Sequence, residues 1–156
     1  MTKDMRTLIL LSLIFLLTSS TELLTGKVVK VQDGDTITVL TGDNKQIKIR
    51  LDGIDAPEGG QDYGNKAKQY LSDLVIGKTI KVEDMGKDIY KRTLGVVYLN
   101  DLNVNEEMIR AGYAWRYKYN KNARYLKLQE DAKNNKRGLW AGENPIDPWQ
   151  FRKNKK

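Results

Sequence analysis

Residues 46–51 alternate strictly between polar and apolar side chains, and this pattern constrains the fold more than any other stretch of the chain. Strict alternation predicts a β-strand with one buried face, and it places Arg50 on the polar face. The turn that follows carries Asp55 and Glu58, and Pro57 stiffens this turn by fixing φ. The sequence therefore predicts a guanidinium group and carboxylates at one rigid strand end.

Two further strands are predicted before this one, at residues 27–32 and 36–40, because β-branched side chains dominate both. The segment 33–36 between them contains Asp-Gly, which is the commonest signal for a tight hairpin turn. The three strands then form a meander. Asp35 in its first turn and Asp55 after its third strand are expected to meet at one rim.

After the meander the spacing of the apolar residues becomes helical. A first helix is predicted from Gly64 until Gly77 ends it. Asn103 is placed to cap a second helix, with Glu106 three residues further on. The other predicted elements are, in chain order, a strand at 78–83, a polar loop at 85–91, a strand at 94–99, a third helix at 122–137 and an irregular tail at 145–156.

These elements together predict the fold class. Five strands, with one helix after the third and two after the fifth, are typical of an α+β protein built on a small barrel. We expect a five-stranded OB-fold Greek-key β-barrel with three α-helices packed on it. At 156 residues the chain is long enough for one such domain with its own core.

The composition limits the chemistry that this chain can perform. There is no Cys and no His, which excludes disulfides, thiolate zinc sites, Cys nucleophiles and His general bases. An enzyme with this sequence must use carboxylates, Arg, Lys, Tyr or a hard metal ion. The formal net charge of +7 favours a polyanionic partner such as nucleic acid, and a basic protein without such a partner is the alternative.

The N-terminus resembles a secretory signal peptide. Lys3 and Arg6 precede an apolar run at 8–17, and small polar residues follow at 18–21. We therefore expect a cleaved signal peptide at residues 1–20, an OB-fold domain with a short C-terminal tail at 21–156 and a secreted or periplasmic protein. The alternatives are a membrane anchor through residues 8–17 or a buried helix, and ten residues are too few to span a bilayer.

The residues with chemical potential are acids and arginines. A half-open set of oxygen donors selects hard cations such as Ca²⁺ or Mg²⁺ and leaves room for a phosphate oxygen. Arginine forks beside such an ion can stabilise the charge that develops during phosphodiester cleavage, and a carboxylate can hold or deprotonate water. Ordinary turn chemistry is the alternative explanation of the same acids. The candidate residues are Asp35, Asp55, Glu58, Arg50 and Arg92.

The whole pattern resembles the staphylococcal nuclease (thermonuclease) family from about Gly26 to Lys153. Each motif is weak alone, and their combined order and spacing are specific. The motifs are Val-Gln-Asp-Gly-Asp-Thr at 31–36, Ile-Arg-Leu-Asp-Gly-Ile-Asp-Ala-Pro-Glu at 49–58, Tyr-Lys-Arg at 90–92, Val-Asn-Glu at 104–106, Gly-Leu-Trp at 138–140 and Pro-Trp-Gln-Phe-Arg at 148–152.

The resemblance implies a monomeric, Ca²⁺-dependent nuclease that cleaves DNA and RNA and leaves 5′-hydroxyl and 3′-phosphate ends. It also implies roles for individual residues. Asp35, Asp55 and the Ala56 carbonyl match the metal ligands, Glu58 the residue that orients or activates water, Arg50 and Arg92 the phosphate clamp, Asp33 a carboxylate behind the metal ligands, and Tyr90 with Tyr117 or Tyr119 the substrate-contacting tyrosines.

The sequence departs from the family pattern at three places. Ala56 replaces a Thr, which a main-chain ligand tolerates. The loop after Glu58 is short, and Lys91 stands where Gly is frequent. Two other functions stay open from the sequence: a non-catalytic nucleic-acid-binding OB-fold module, and a surface-anchored adhesion or envelope protein.

Overall fold

The structure is a computed structural model that describes residues 23–155. The predicted signal peptide at 1–20, including the apolar run at 8–17, lies outside the described residues. Within residues 23–155, no helix combines the length and the apolar character that crossing a bilayer requires.

A closed five-stranded mixed barrel forms the body of the protein. Neighbouring strands pair in the order β3-β2-β1-β5-β6, and a parallel pairing of β3 with β6 closes the barrel. The long strands are β1 (Leu24–Asp33), β2 (Thr36–Thr41), β3 (Gln46–Leu51), β5 (Thr79–Lys87) and β6 (Thr93–Leu99), and the short ones are β4 (Ile54–Asp55), β7 (Leu102–Asn103) and β8 (Trp115–Arg116). This arrangement confirms the predicted five-stranded OB-like barrel.

Within residues 23–155, four α-helices pack around the barrel, one more than the sequence predicted. They are α1 (Gly64–Val75), α2 (Val104–Arg110), α3 (Ala123–Asn134) and α4 (Pro148–Asn154), with a 3₁₀ helix at Gly138–Ala141. The predicted cap of α2 is confirmed, because the Asn103 side chain accepts a hydrogen bond from the Glu106 amide at 3.0 Å. Asn122 caps α3 in the same way, accepting from the Arg124 amide at 2.9 Å.

Three predicted boundaries were wrong. The tail at 145–156 is not wholly irregular, because Asp147 caps α4 by accepting from the Trp149 amide at 2.7 Å and Pro148 occupies its first turn. Helix α3 ends at Asn134 instead of reaching residue 137. Strand β5 extends to Lys87, inside the predicted polar loop, because its backbone pairs with β6 whatever its side chains are.

The core is continuous from the barrel interior to the helices. The alternation in β3 is confirmed, since Ile49 and Leu51 are fully buried and Arg50 lies at the rim. The predicted apolar face of α1 is also buried, through Ala67 and Leu71. This rigid barrel is the platform on which the ends of β1, β3 and β4 place the candidate site.

Candidate active site

The hairpin between β1 and β2 positions Asp35. Its amide donates to Asp33 Oδ1 at 3.0 Å, so the first acid of the Asp-Gly-Asp segment holds the turn that presents the second. Gly34 permits a very close approach, because a Cβ there would lie 2.7 Å from the Ala56 Cβ and 2.8 Å from the Ala67 Cβ. The turn therefore packs directly against both the segment after β4 and helix α1.

The two predicted turns meet, as the meander suggested. The Ala56 amide donates to Asp35 Oδ2 at 2.8 Å, and the Leu51 amide donates to the Asp35 carbonyl at 2.8 Å. These bonds join the first hairpin to the end of β3. The carboxylates of Asp35 and Asp55 thus face one rim of the barrel, where one guanidinium group contacts both.

That guanidinium group belongs to Arg50. Its Nη2 lies 3.2 Å from Asp35 Oδ2 and 3.2 Å from Asp55 Oδ1. Its Nη1 donates to the carbonyls of Leu51 at 2.8 Å and Ile54 at 2.9 Å. Because backbone carbonyls fix one edge of the fork, the orientation of Arg50 is set by the barrel itself.

Burial and charge act in opposite directions on Asp35. Removal from water raises the pKa of this carboxyl to about 7, and the neighbouring Arg50 guanidinium opposes that rise. A buried acid whose ionised form is disfavoured gains stabilisation from a facing cation. In this respect Asp35 fits a site for a positively charged ion.

Glu58 lies at the exposed edge of the same site. Its amide donates to Gln61 Oε1 at 3.0 Å, which closes the short loop before α1. A Cβ at position 64 would lie 2.1 Å from the Glu58 carbonyl, so Gly64 is required for this close approach. The Glu58 side chain is 40% exposed and can reach water, unlike that of Asp55, which is 5% exposed.

A third arginine, which the sequence analysis did not assign to the site, bridges these two acids. Arg152 Nη2 lies 2.8 Å from Asp55 Oδ2, and its Nη1 lies 3.2 Å from Asp55 Oδ1 and 2.5 Å from Glu58 Oε1. The hydrogen bonds that Arg152 donates to Asp55 raise the pKa of its guanidinium above the usual value, so it remains a cation. The acids that Arg152 contacts lie more than ninety residues away in the sequence, so no local pattern pairs them with it. The sequence signals for this residue are the Asp147-Pro148 helix start and the motif at 148–152.

The oxygen donors suit a hard cation, but they are not gathered around one open point. Asp35, Asp55, Glu58 and the Ala56 carbonyl form a set without nitrogen or sulfur, as Ca²⁺ prefers. Within the described part of the chain, however, no three acidic side chains form a group that could hold a metal ion. Asp55 and Glu58 instead both bind the Arg152 guanidinium. The oxygen donors are thus of the type that Ca²⁺ prefers, but in this structure two of them face Arg152.

Arg92, the second predicted clamp residue, contacts a different acid. Its Nε lies 2.7 Å from Asp88 Oδ2, and its amide donates to Asp88 Oδ1 at 2.9 Å. Lys91 in the same loop has a φ of 62°, in the left-handed region that favours glycine. Arg92 directly precedes the strand that pairs with β3, and its guanidinium is bound to Asp88 and not to the acids that Arg50 contacts.

The three predicted substrate tyrosines are all solvent-exposed. Tyr90 is 73% exposed and stands beside Arg92, whose guanidinium carbon lies 5.5 Å from its ring centroid. Tyr117 and Tyr119 pack edge to face with centroids 5.5 Å apart, after β8, the strand that pairs with β4. Exposed aromatic rings that flank an ionic site suit contacts with unpaired bases.

The Asn105 side chain stabilises the backbone around the site, a role that the sequence analysis did not assign to it. Its amide nitrogen donates to the carbonyls of Asp52 at 2.9 Å and Gly95 at 3.0 Å, and its oxygen accepts from the Val97 amide at 3.0 Å. The side chain is fully buried. It therefore ties β6 and α2 to the turn that carries Asp55.

Comparison with known proteins agrees with this geometry. Residues 48–142 match the sequence model of a family described as staphylococcal nuclease homologue. A Haemophilus influenzae protein named an uncharacterized endonuclease is 48% identical over 156 residues, covering 97% of this chain and 88% of the relative. The micrococcal nuclease of Shigella flexneri is 39% identical over 141 residues, covering 82% of this chain and 80% of the relative. The chain therefore belongs to the staphylococcal nuclease family.

Proposed function

We propose that this protein is an exported, calcium-dependent endonuclease that hydrolyses DNA and RNA to 3′-phosphate and 5′-hydroxyl ends. The observation that carries the proposal is the cluster in which Arg50 contacts Asp35 and Asp55 at one rim, with Glu58 at its exposed edge. Relatives of similar length named endonuclease and micrococcal nuclease support the reaction class.

Asp35, Asp55 and the Ala56 carbonyl are the residues that would hold the calcium ion. The Ala56 amide donates to Asp35 Oδ2 at 2.8 Å, and Arg50 Nη2 lies 3.2 Å from each of the two carboxylates. A bound Ca²⁺ would supply positive charge to the phosphodiester group and so stabilise the charge that develops during cleavage.

Glu58 and the arginines supply the remaining chemistry. Glu58 orients or deprotonates the attacking water, since it is the acid of the cluster with substantial exposure. Arg50 and Arg92 hold the nonbridging phosphate oxygens with forked hydrogen bonds. Arg92 reaches the phosphate after exchanging Asp88 for it, since both are anions of similar geometry.

The substrate strand is expected to follow a basic groove that includes Arg92. An open groove of about 490 Å³ carries Tyr90, Arg92 and further cations on its walls, and contacts to the phosphates would set most of the affinity. Binding should therefore weaken steeply with salt and show little base preference. The additional cations of the groove are Lys48, Lys87 and Lys91.

A nuclease assay tests the proposal directly. The purified protein is incubated with single-stranded DNA and with RNA, with Ca²⁺ or Mg²⁺ titrated and with a chelator as the reference. We expect cleavage of both polymers with Ca²⁺, loss of cleavage with chelator, and product 5′ ends that a polynucleotide kinase labels without phosphatase treatment.

Matched variants separate the enzyme from the alternative function. Glu58→Gln should abolish most cleavage, while Glu130→Gln, which changes an exposed acid on α3, should cleave like the wild type. Retarded migration of nucleic acid without cleavage, in any metal, would favour the non-catalytic binding module. N-terminal sequencing of exported protein tests the proposed signal peptide, with a start near residue 21 expected.

A further inference from the structure

Arg152 binds the carboxylate oxygens of Asp55, a proposed metal ligand, and one oxygen of Glu58 beside it. Its two terminal nitrogens contact Oδ1 and Oδ2 of Asp55 and Oε1 of Glu58, at distances between 2.5 and 3.2 Å. A guanidinium in this position offers hydrogen bonds to lone pairs that cannot at the same time face a metal ion. Arg152 therefore occupies the cation-facing edge of two proposed active-site acids.

The net charge of the cluster also indicates that Arg152 competes with a divalent cation. Asp35, Asp55 and Glu58 carry three formal negative charges, and Arg50 with Arg152 carries two positive ones, which leaves one net negative charge. If Arg152 leaves, the same acids facing Arg50 alone carry two. Only the second state neutralises a divalent cation, and the first would become net positive on binding it.

Of the two arginines, Arg152 is the one that the fold allows to move. Arg50 is 15% exposed and is also held by the carbonyls of Leu51 and Ile54. Arg152 is 41% exposed, and the hydrogen bonds that its side chain makes within the described residues all go to Asp55 and Glu58. A competitor that binds the oxygens of these two acids would therefore release the Arg152 side chain.

We propose that Arg152 acts as a built-in competitor of the divalent cation, so that ion binding at Asp55 displaces the Arg152 side chain and shifts helix α4. This inference rests on the proposed calcium-dependent function. It makes Arg152 a positioning residue that closes the site when no ion is bound and sets the cation affinity of the enzyme.

The displacement has a structural consequence that can be observed. Helix α4 also carries Trp149, whose ring centroid lies 3.5 Å from Nζ of Lys118, the residue between Tyr117 and Tyr119. When Arg152 releases Asp55, α4 loses its charged anchor and the surroundings of the Trp149 ring change. Cation binding is therefore coupled to the region of the predicted substrate tyrosines.

Calcium affinity measured by calorimetry, without substrate, tests the competition. Arg152→Gln should bind Ca²⁺ about tenfold more tightly than the wild type, since a forked ion pair of this kind contributes on the order of that factor. Lys153→Gln removes one positive charge from the same helix without touching the acids and should change the affinity less than twofold. Arg152→Lys, which keeps the charge but loses the fork, should lie between and guards against misfolding of the first variant.

A second measurement follows α4 itself. The chain has three tryptophans, so the Trp149 indole signal in a ¹H–¹⁵N spectrum is assigned with Trp149→Phe. It should shift on Ca²⁺ addition in the wild type and shift much less in Arg152→Gln, where the anchor is already absent.

The outcomes separate the two proposals. Ca²⁺-dependent cleavage with equal or weaker Ca²⁺ affinity in Arg152→Gln, or with an unchanged Trp149 signal, overturns the competition and leaves the nuclease function intact. Absence of both Ca²⁺ binding and cleavage in the wild type overturns both proposals. Tighter binding in Arg152→Gln but not in Lys153→Gln supports the inference.

Discussion

Arg50 and Arg92 are the two arginines that the proposed mechanism places on the phosphate, and the fold holds them in opposite ways. Arg50 binds two backbone carbonyls and two buried acids at the end of a barrel strand. Arg92 binds one acid, Asp88, within its own loop. We call the first region, with Asp35 and Asp55, the barrel side of the site.

The second region, the loop side, comprises Arg92, Glu58 and Arg152. Its side chains are more exposed and contact one another or nearby acids through ion pairs. Exposed ion pairs contribute little to stability, so they rearrange easily. The difference is that backbone carbonyls hold Arg50 on the barrel side, whereas ion pairs between side chains hold the guanidinium groups of the loop side.

The largest effect is expected from Arg50→Lys on the barrel side. A lysine cannot reproduce the fork, so phosphate stabilisation is lost and cleavage should fall by roughly 10²- to 10³-fold. The carbonyls and acids that Arg50 contacts would lose hydrogen bonds, so the free energy of unfolding should also fall by about 1–3 kcal/mol. Initial rates on single-stranded DNA and urea unfolding measure the two effects.

Arg92→Lys is the matched substitution on the loop side. Its unfolding free energy should change by less than about 1 kcal/mol, because lysine keeps the positive charge and only one partly buried ion pair is weakened. Its cleavage rate should still fall by roughly 10- to 100-fold through the lost fork. Equal destabilisation by both lysines would contradict the distinction between the two sides.

Asn105→Ala tests the support beneath the barrel side. The fully buried amide bonds three backbone groups, and each stranded group costs roughly 1–3 kcal/mol, so we expect a loss of about 3 kcal/mol in unfolding free energy. Exposed Asn144→Ala serves as the control and should stay within about 0.5 kcal/mol of the wild type. Similar midpoints in urea for both variants would argue against this support.

Gly34→Ala tests the close packing of the first hairpin. The new methyl group would lie 2.7 Å from the Ala56 Cβ, so we expect destabilisation by about 1–3 kcal/mol and lower activity as Asp35 moves. In the second hairpin, a Cβ at Gly42 meets nothing within 4 Å, and Gly42→Ala should be nearly neutral. Thermal unfolding and cleavage rates of the pair decide the matter, and indistinguishable variants would refute the packing argument.

Asp88→Asn should give the smallest effect, and it tests whether Asp88 competes with phosphate for Arg92. Removing the acid that holds Arg92 should change stability by less than about 1 kcal/mol. Because Arg92 is then free to bind phosphate, KM for single-stranded DNA should fall by about two- to fivefold. A rise in KM would mean that Asp88 positions Arg92 for the substrate instead of competing for it.

Local patterns succeeded wherever one element determines its own structure. Alternation at 46–51 predicted β3 because side chains of a strand point to opposite faces, and Asn103 predicted the start of α2 because its side chain bonds the Glu106 amide. The extent of β5 and the existence of α4 were missed. The first depends on backbone pairing with β6, and the second on a short capped helix whose anchor lies across the molecule.

The barrel, the family resemblance and the available acids and arginines can all be read from local patterns, because hydrophobic period and turn chemistry are local properties of a chain. Which acid each arginine contacts depends on the tertiary structure. Arg92 binds Asp88 within its own loop, while Arg152 of the C-terminal helix binds Asp55 and Glu58 at the barrel rim. The reason is physical: ion pairs form between whichever charges the packed backbone brings within reach, and no local period in the sequence encodes that distance.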